Sequence, residues 1–309
     1  MEESVTRALV IGGGSIGTRH ASVLMNLGHD VAFVSRRNDL DALTFLSLQH
    51  ALGEFTPGYV VIATESSMHE AAVADLRALD YTGVLLIEKP MLVDAATLDA
   101  APFARIGVGF NLRFHPVIAG LKSLLASTRV LTVEVYAGQH LSGWRPSRPV
   151  AEQYSSVRAR GGGVLRDLSH EFDYLGLLLG HCEGVFARGG RLGSITIDSD
   201  DAWGIVARYE RSPLATIQLN YFDRNTRRRI VINTTESTIE ADLVASTLRV
   251  DDRVEQLPTD RDLTYRAMHR AMLDGSDVSF ATVEQAADTD HLVRMIERSA
   301  MTNSWVESL

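Results

Sequence analysis

The sequence predicts an α/β protein: a doubly wound parallel sheet, then a second α/β domain carrying a large, open, mainly antiparallel sheet. Three observations carry this. An apolar strand near the start stops at a glycine-rich turn that opens a helix. Over the first third, β-branched and apolar runs alternate with helical stretches, the pattern of parallel strands covered on both faces. Beyond residue 116 the strands become long and half polar, as in a sheet with one covered face.

The first element is Ala8-Leu9-Val10-Ile11, which runs into Gly12-Gly13-Gly14-Ser15-Ile16-Gly17 with G-x-G-x-x-G spacing. Gly12 permits the tight turn, Gly14 admits a close backbone approach, and Gly17 lets the helix pack on the strand. Ile16, His20, Val23, Leu24 and Leu27 continue at helical spacing, and Gly28 ends the helix. A second strand at 31–34 completes a βαβ unit. Such a turn directs helix N-terminal N–H groups, Ser15 and Ile16 included, at the phosphates of a dinucleotide. After the second strand stands Ser35-Arg36-Arg37, where an acidic residue would favour a 2′-hydroxyl. A hydroxyl and two guanidinium forks suit a 2′-phosphate, so NADP is favoured and NAD is the alternative; the bland reading is a solvated basic loop.

Further elements follow as a helix over 39–52, a strand at 59–63, a helix over 68–79, and strands at 84–87 and 106–110. Ligands of such sheets bind at the carboxyl ends of the strands. Those ends carry Thr64, then Glu88-Lys89-Pro90, then Asn111-Leu112-Arg113. A lysine there can hold a substrate oxygen beside a nicotinamide, although an isolated Glu-Lys pair is more often a surface ion pair. The second domain shows strands at 129–139, 202–209, 214–222 and 228–233, with a long polar segment over 138–163 read as a flexible loop. The boundary falls at residue 116, giving a dinucleotide-binding domain over 1–116 and a substrate-binding and oligomerisation domain over 117–309, whose last helix can pack back on the first.

Bulk properties narrow the class. A chain of 309 residues, 45% hydrophobic, supports two domains of normal size. A net charge of -9 argues against nucleic acid as a partner. The single cysteine, Cys182, excludes a disulfide framework, and no His/Cys/Asp spacing resembles a metal site. Glu2 and Glu3 stand where a signal peptide would be basic, and no run of about eighteen apolar residues occurs. A cytoplasmic protein is expected.

The ordered set of motifs resembles the Gfo/Idh/MocA oxidoreductases. It comprises the glycine turn with His20, Ala63-Thr64 with His69, Glu88-Lys89-Pro90, Gly109-Phe110-Asn111-Leu112-Arg113-Phe114-His115-Pro116, and Gly161-Gly162-Gly163-x-x-x-Asp167-x-x-His170. The resemblance implies a Rossmann domain followed by an α/β domain whose open sheet often forms the subunit interface of a homodimer or homotetramer. It implies reversible oxidation of a sugar or cyclitol hydroxyl, with Lys89 orienting the reacting oxygen, His170 moving the proton, and Asp167 completing the catalytic set. Thr64, His69, Glu88, Asn111, Arg113 and Trp144 would line the cofactor, and Arg145 and Asp173 the substrate.

One position departs from the family pattern. The histidine commonly stands four residues after the aspartate; here Asp167 to His170 is three, and the fourth position is Glu171. Both offsets share a helix face, so the imidazole still reaches the site; the competing reading is a helix histidine bonded to a carbonyl. The run Ser169-His170-Glu171-Phe172-Asp173-Tyr174-Leu175 resembles a subgroup associated with cell-surface sugar biosynthesis. Arg145, Arg148, Arg158, Arg160 and Arg166 crowd the same region, which suits an anionic sugar such as a sugar acid or nucleotide sugar, or equally a solvated loop. Two other classes stay open: a redox-inactive nucleotide-binding sensor or partner-binding module, and an NAD-recycling lyase or glycosidase.

Overall fold

The structure, a computed structural model, describes residues 5–92, 98–145, 148–275 and 279–308. Glu2 and Glu3 lie outside the described residues, as do positions 146 and 147 of the polar segment. The chain divides into two compact units, Met1–Phe114 with Arg261–Ala287, and His115–Asp260 with Asp288–Leu309.

The first unit holds β1 (Arg7–Ile11), α1 (Ser15–Asn26), β2 (Asp30–Val34), β3 (Leu43–Phe45), α2 (Leu48–Phe55), β4 (Tyr59–Ile62), α3 (His69–Ala78), β5 (Val84–Ile87) and β6 (Arg105–Val108). The six strands form one parallel sheet in the order β3-β2-β1-β4-β5-β6. Alternation along each strand feeds two separate cores, because successive side chains point to opposite faces. Leu9, Val60, Ile62, Leu85 and Ile87 join Ala51, Val73 and Leu76 of α2 and α3 on one side. Ala8, Val10, Tyr59, Val61 and Leu86 join Ala21 and Leu24 of α1 on the other, where Met268 and Met272 of the helix Leu263–Asp274 complete the layer. Each of the Val, Leu, Ile and Met side chains among them contributes roughly 1.5–3 kcal/mol when fully buried.

The helix expected over 39–52 is shorter and begins later. Thr44 and Phe45 extend an edge strand instead, and the Ser47 side chain accepts the His50 N–H at 3.3 Å, starting α2 one residue on.

The second unit holds α4 (Pro116–Leu125), β7 (Val130–Gly138), the single turn α5 (Val164–Asp167), α6 (His170–Leu179), β8 (Cys182–Gly190), β9 (Ala202–Tyr209), β10 (Ser212–Asn220), β11 (Arg227–Thr234), β12 (Thr238–Asp242), β13 (Thr247–Val250), β14 (Arg253–Gln256) and β15 (Val306–Glu307). Its nine strands run β14-β13-β12-β11-β7-β10-β9-β8-β15. Every pairing is antiparallel except β7 with β10, so the sheet is mixed though mainly antiparallel, as expected. One face is buried through Trp203, Ile205, Ala207 and Tyr209 of β9 and their neighbours; α4 packs on α6, β12 and β13. The opposite face exposes Val206 and Leu214. Within the segment read as a flexible loop, short 3-10 turns run through 141–143, 150–152, 154–156 and 158–160, and Gln153, Ser155 and Ser156 are buried. The long helix Val283–Thr302 begins in the first unit and ends in the second.

Candidate functional site

The glycine turn has the geometry of a dinucleotide cradle. Gly12 lies at φ +110°, and a Cβ there would stand 2.6 Å from the Ala63 carbonyl oxygen. A Cβ on Gly17 would collide with the Gly12 carbonyl oxygen. Gly14 is different: nothing lies within 4 Å of the place its Cβ would take, so the space beside its backbone is open. Gly14 also precedes the first turn of α1, where no side chain caps the free N–H groups and no acidic residue competes for them. Ser15 is exposed and Ile16 half-buried on that turn. At the end of β4, Thr64 Oγ1 is buried with no hydrogen-bond partner among the described residues. A diphosphate and its ribose supply both what the open space and the lone hydroxyl lack, so these residues fit a dinucleotide.

Behind β2 the basic run is more constrained than its sequence suggests. Arg37 donates through Nε and Nη2 to the two Asp39 carboxylate oxygens at 2.8 and 2.6 Å, and through Nη1 to the Gly13 carbonyl at 2.7 Å. Asp39 raises the Arg37 pKa, and Arg37 lowers that of Asp39. Ser35 Oγ accepts the Arg37 backbone N–H, and Arg36 is exposed. Asp39 is an acidic group near the glycine turn that spacing alone did not single out, because it stands five positions past β2.

Three further strand ends are held from beneath. Glu88 is 6% exposed; Oε1 lies 2.8 Å from His20 Nε2, and Oε2 accepts the Lys89 backbone N–H at 3.0 Å. Lys89 itself is half-buried. His69 is 1% exposed, with Nδ1 3.1 and 3.2 Å from the Pro90 and Met91 carbonyls and Nε2 3.4 Å from that of Thr64. Its ring thus lies between the Lys89 loop and the end of β4; burial lowers its pKa, which favours the neutral form, and a neutral ring donates to one of these two sides only. Asn111 donates to Thr264 Oγ1 at 2.7 Å, and Arg113 to Gln285 Oε1 at 2.6 Å; both are buried.

In the second unit, Asp167 ends α5 and is 3% exposed. Its two oxygens accept the hydroxyls of Tyr154 and of Tyr221, the latter at 2.5 Å. Burial first, then the Asp167 charge, raises the Tyr221 pKa well above the usual phenol range, so the hydroxyl stays a donor. Trp144 stands edge-on to Tyr221 at 5.5 Å, and the Arg145 guanidinium lies 5.1 Å above the Tyr154 ring. Trp144, Arg145 and Asp167 thus belong to one cluster whose centre, the two tyrosines, the sequence did not reveal. Gly162 makes that packing possible, since a Cβ there would stand 2.7 Å from the Ser155 carbonyl oxygen.

His170 opens α6 half-buried, while Glu171 is 0% exposed. Arg228 meets Glu171 with Nε 2.6 Å from Oε1 and Nη2 3.3 Å from Oε2. The step of about 100° per residue turns the carboxylate inward to its guanidinium and leaves the imidazole as the partly accessible group. Asp173 is 2% exposed on the same helix. Of the arginines, Arg166 forms a two-pronged contact with Glu297 at 2.9 and 3.3 Å, and exposed Arg158 lies 3.7 Å from the same carboxylate. Arg160 is half-buried. Among the described residues, no group of three or more His, Cys, Asp or Glu is placed to hold a metal ion, and no helix is long and apolar enough to cross a membrane.

Residues 118–240 match the family model of the GFO/IDH/MocA C-terminal domain, which bears out the family resemblance from a segment largely outside the N-terminal motifs. No curated protein matches the chain. Among solved structures, GenD2 from gentamicin A biosynthesis in complex with NAD is 22% identical, with a TM-score of 0.82 over 100% of this chain and 98% of that one. The WlbA dehydrogenase from Bordetella pertussis in complex with NADH and UDP-GlcNAcA is 16% identical, TM-score 0.79, over 100% and 99%. Levoglucosan dehydrogenase in complex with NADH and levoglucosan is 17% identical, TM-score 0.81, over 99% and 100%. These likenesses show a shared fold.

Proposed function

We propose that this chain, which carries a GFO/IDH/MocA C-terminal domain, is an NAD(P)-dependent oxidoreductase acting on a CH–OH or keto carbon of a sugar, sugar acid, nucleotide sugar or cyclitol. The observation that carries the reading is the open space at Gly14 beside an uncapped helix start, with Lys89 presented at the end of β5, two strands across the same sheet. A bound nicotinamide supplies the hydride acceptor or donor. Lys89 orients the reacting oxygen and stabilises negative charge on it as the carbon changes oxidation state. His170 takes the hydroxyl proton in oxidation and returns it in reduction, a role that suits an imidazole with an ordinary pKa of about 6.5. Asp167, fixed by Tyr154 and Tyr221, supplies a negative charge three residues before His170.

Ser35 and Arg36 support NADP, the cofactor expected from the sequence. The Asp39 carboxylate across Arg37 supports NAD. Arg145, Arg158 and Arg160 support an anionic sugar. The half-polar outer face with Val206 and Leu214 supports a homodimer or homotetramer formed through the large sheet, in the cytoplasm. The test is a panel of ketosugars and sugar alcohols with each cofactor. The reading expects one nicotinamide converted per sugar converted; binding of the dinucleotide with no conversion of any panel member contradicts it.

A further inference from the structure

A buried chain of polar side chains runs beneath Lys89. Tyr59 Oη lies 2.9 Å from His269 Nδ1, His269 Nε2 lies 3.0 Å from His20 Nδ1, and His20 Nε2 lies 2.8 Å from Glu88 Oε1. Tyr59, His269 and His20 are each 0% exposed. Tyr265 closes one side edge-on to His20 at 5.2 Å, itself covered by the Arg19 guanidinium at 4.2 Å.

For a neutral His20 the inventory of donors gives one direction. A carboxylate only accepts, so His20 Nε2 carries a hydrogen. A neutral His20 then accepts at Nδ1, which requires the hydrogen of His269 on Nε2. His269 Nδ1 must in turn accept, and the Tyr59 hydroxyl donates to it. Burial favours both halves of this arrangement: it pushes the His269 pKa well below the imidazole range and the Tyr59 pKa well above the phenol range. The second Glu88 oxygen holds the Lys89 backbone N–H. Every group in the chain is satisfied by one arrangement of hydrogens, with a single charge at its end.

We propose that His269 and Tyr59 are positioning residues for Lys89: the donation Tyr59 to His269 to His20 to Glu88 locks His20 as the Nε2–H tautomer and clamps Glu88 onto the backbone that presents the lysine. The inference rests on Lys89 being the oxygen-orienting residue. None of these four residues is asked to touch substrate. A deletion at the far end of the chain therefore reaches Lys89 only by releasing a tautomer.

The test is nitrogen-15 NMR of the full chain without cofactor or sugar, reading the His20 ring nitrogens and the exchange of the Lys89 amide. The native protein shows one tautomer at His20 and a protected Lys89 amide. His269→Leu mixes the His20 tautomers and speeds Lys89 amide exchange by at least about tenfold, as a local opening does. His269→Gln restores both, because its amide donates to His20 and its carbonyl accepts from Tyr59. Tyr59→Phe, which removes one hydroxyl and leaves His269 Nδ1 without its donor, speeds Lys89 amide exchange even if His269→Leu fails to fold. A single His20 tautomer and an unchanged Lys89 amide in Tyr59→Phe or His269→Leu would overturn the proposal. So would a folded His269→Gln that behaves as His269→Leu, which would mark a packing role. Failure of the redox reading shows separately, as intact locking in a chain that turns over no sugar.

Discussion

Replacing Arg228 by Met removes the guanidinium that meets Glu171 and leaves the helix otherwise intact. Glu171 is 0% exposed and its partner only 22% exposed through its side chain, so water cannot readily substitute. Breaking a buried pair on one side costs about 3–5 kcal/mol, because the remaining charge is uncompensated. For a unit of this size that lowers Tm by roughly 6–20 °C. Sign and pH dependence follow together. Without Arg228 the folded-state pKa of Glu171 rises above its unfolded value of about 4.3. The folded state then binds more protons than the unfolded one, so stability falls as pH rises through that window. The deficit relative to the native protein is larger at about pH 7 than at about pH 5. His115, held below the usual imidazole range by burial and then by Arg228, titrates higher in the variant. Adding Glu171→Leu removes the stranded charge and returns most of the loss. The assay is thermal unfolding of the three variants at both pH values with NMR titration of His115. An Arg228→Met protein within about 2 °C of the native Tm would refute the reasoning that Glu171 is a structural carboxylate and leaves the proton chemistry to His170.

Three other outcomes follow from the site. Gly14→Ala, in open space at φ -74°, leaves Tm unchanged but weakens NADH binding in a calorimetric titration by at least about tenfold, since the new methyl occupies the approach to the backbone. Gly12→Ala meets the Ala63 carbonyl and an unfavourable φ, so it lowers Tm as well as affinity; equal effects of the two substitutions would deny the cradle. Asp39→Asn releases the Arg37 guanidinium and raises NADPH affinity relative to NADH, read by the same titration; an unchanged ratio would remove Asp39 from cofactor choice.

The fold was legible where the physics is local. The glycine turn, the parallel strands and the alternation of β9 are all written within a few residues of themselves. Segment 39–52 differs from the expected helix because Thr44 and Phe45 take their strand form from pairing with β2, a partner that short-range periodicity does not show. Strands β12 to β14 are not legible in the sequence for a similar reason: they are short, largely polar, and completed by one another. At the site, the backbone-shaping residues were readable and the side-chain partners were not. His20 and His269 are 249 positions apart, and Tyr221 reaches Asp167 across 54. The Arg37 pairing was within reach, since Asp39 is two residues on. A basic run beside an acidic residue carries two readings until the rotamers are known.

The central claim is that Lys89 and His170 serve a hydride transfer to or from a sugar-like carbon. The most direct measurement follows deuterium from nicotinamide labelled at its reactive carbon into the product of the accepted ketosugar, by NMR. Label is expected on the reduced carbon in the native protein, and none within the same time in Lys89→Ala or His170→Ala, both of which still bind NADH. Label that stays on the nicotinamide with every panel sugar, or transfer undiminished in Lys89→Ala, would contradict it.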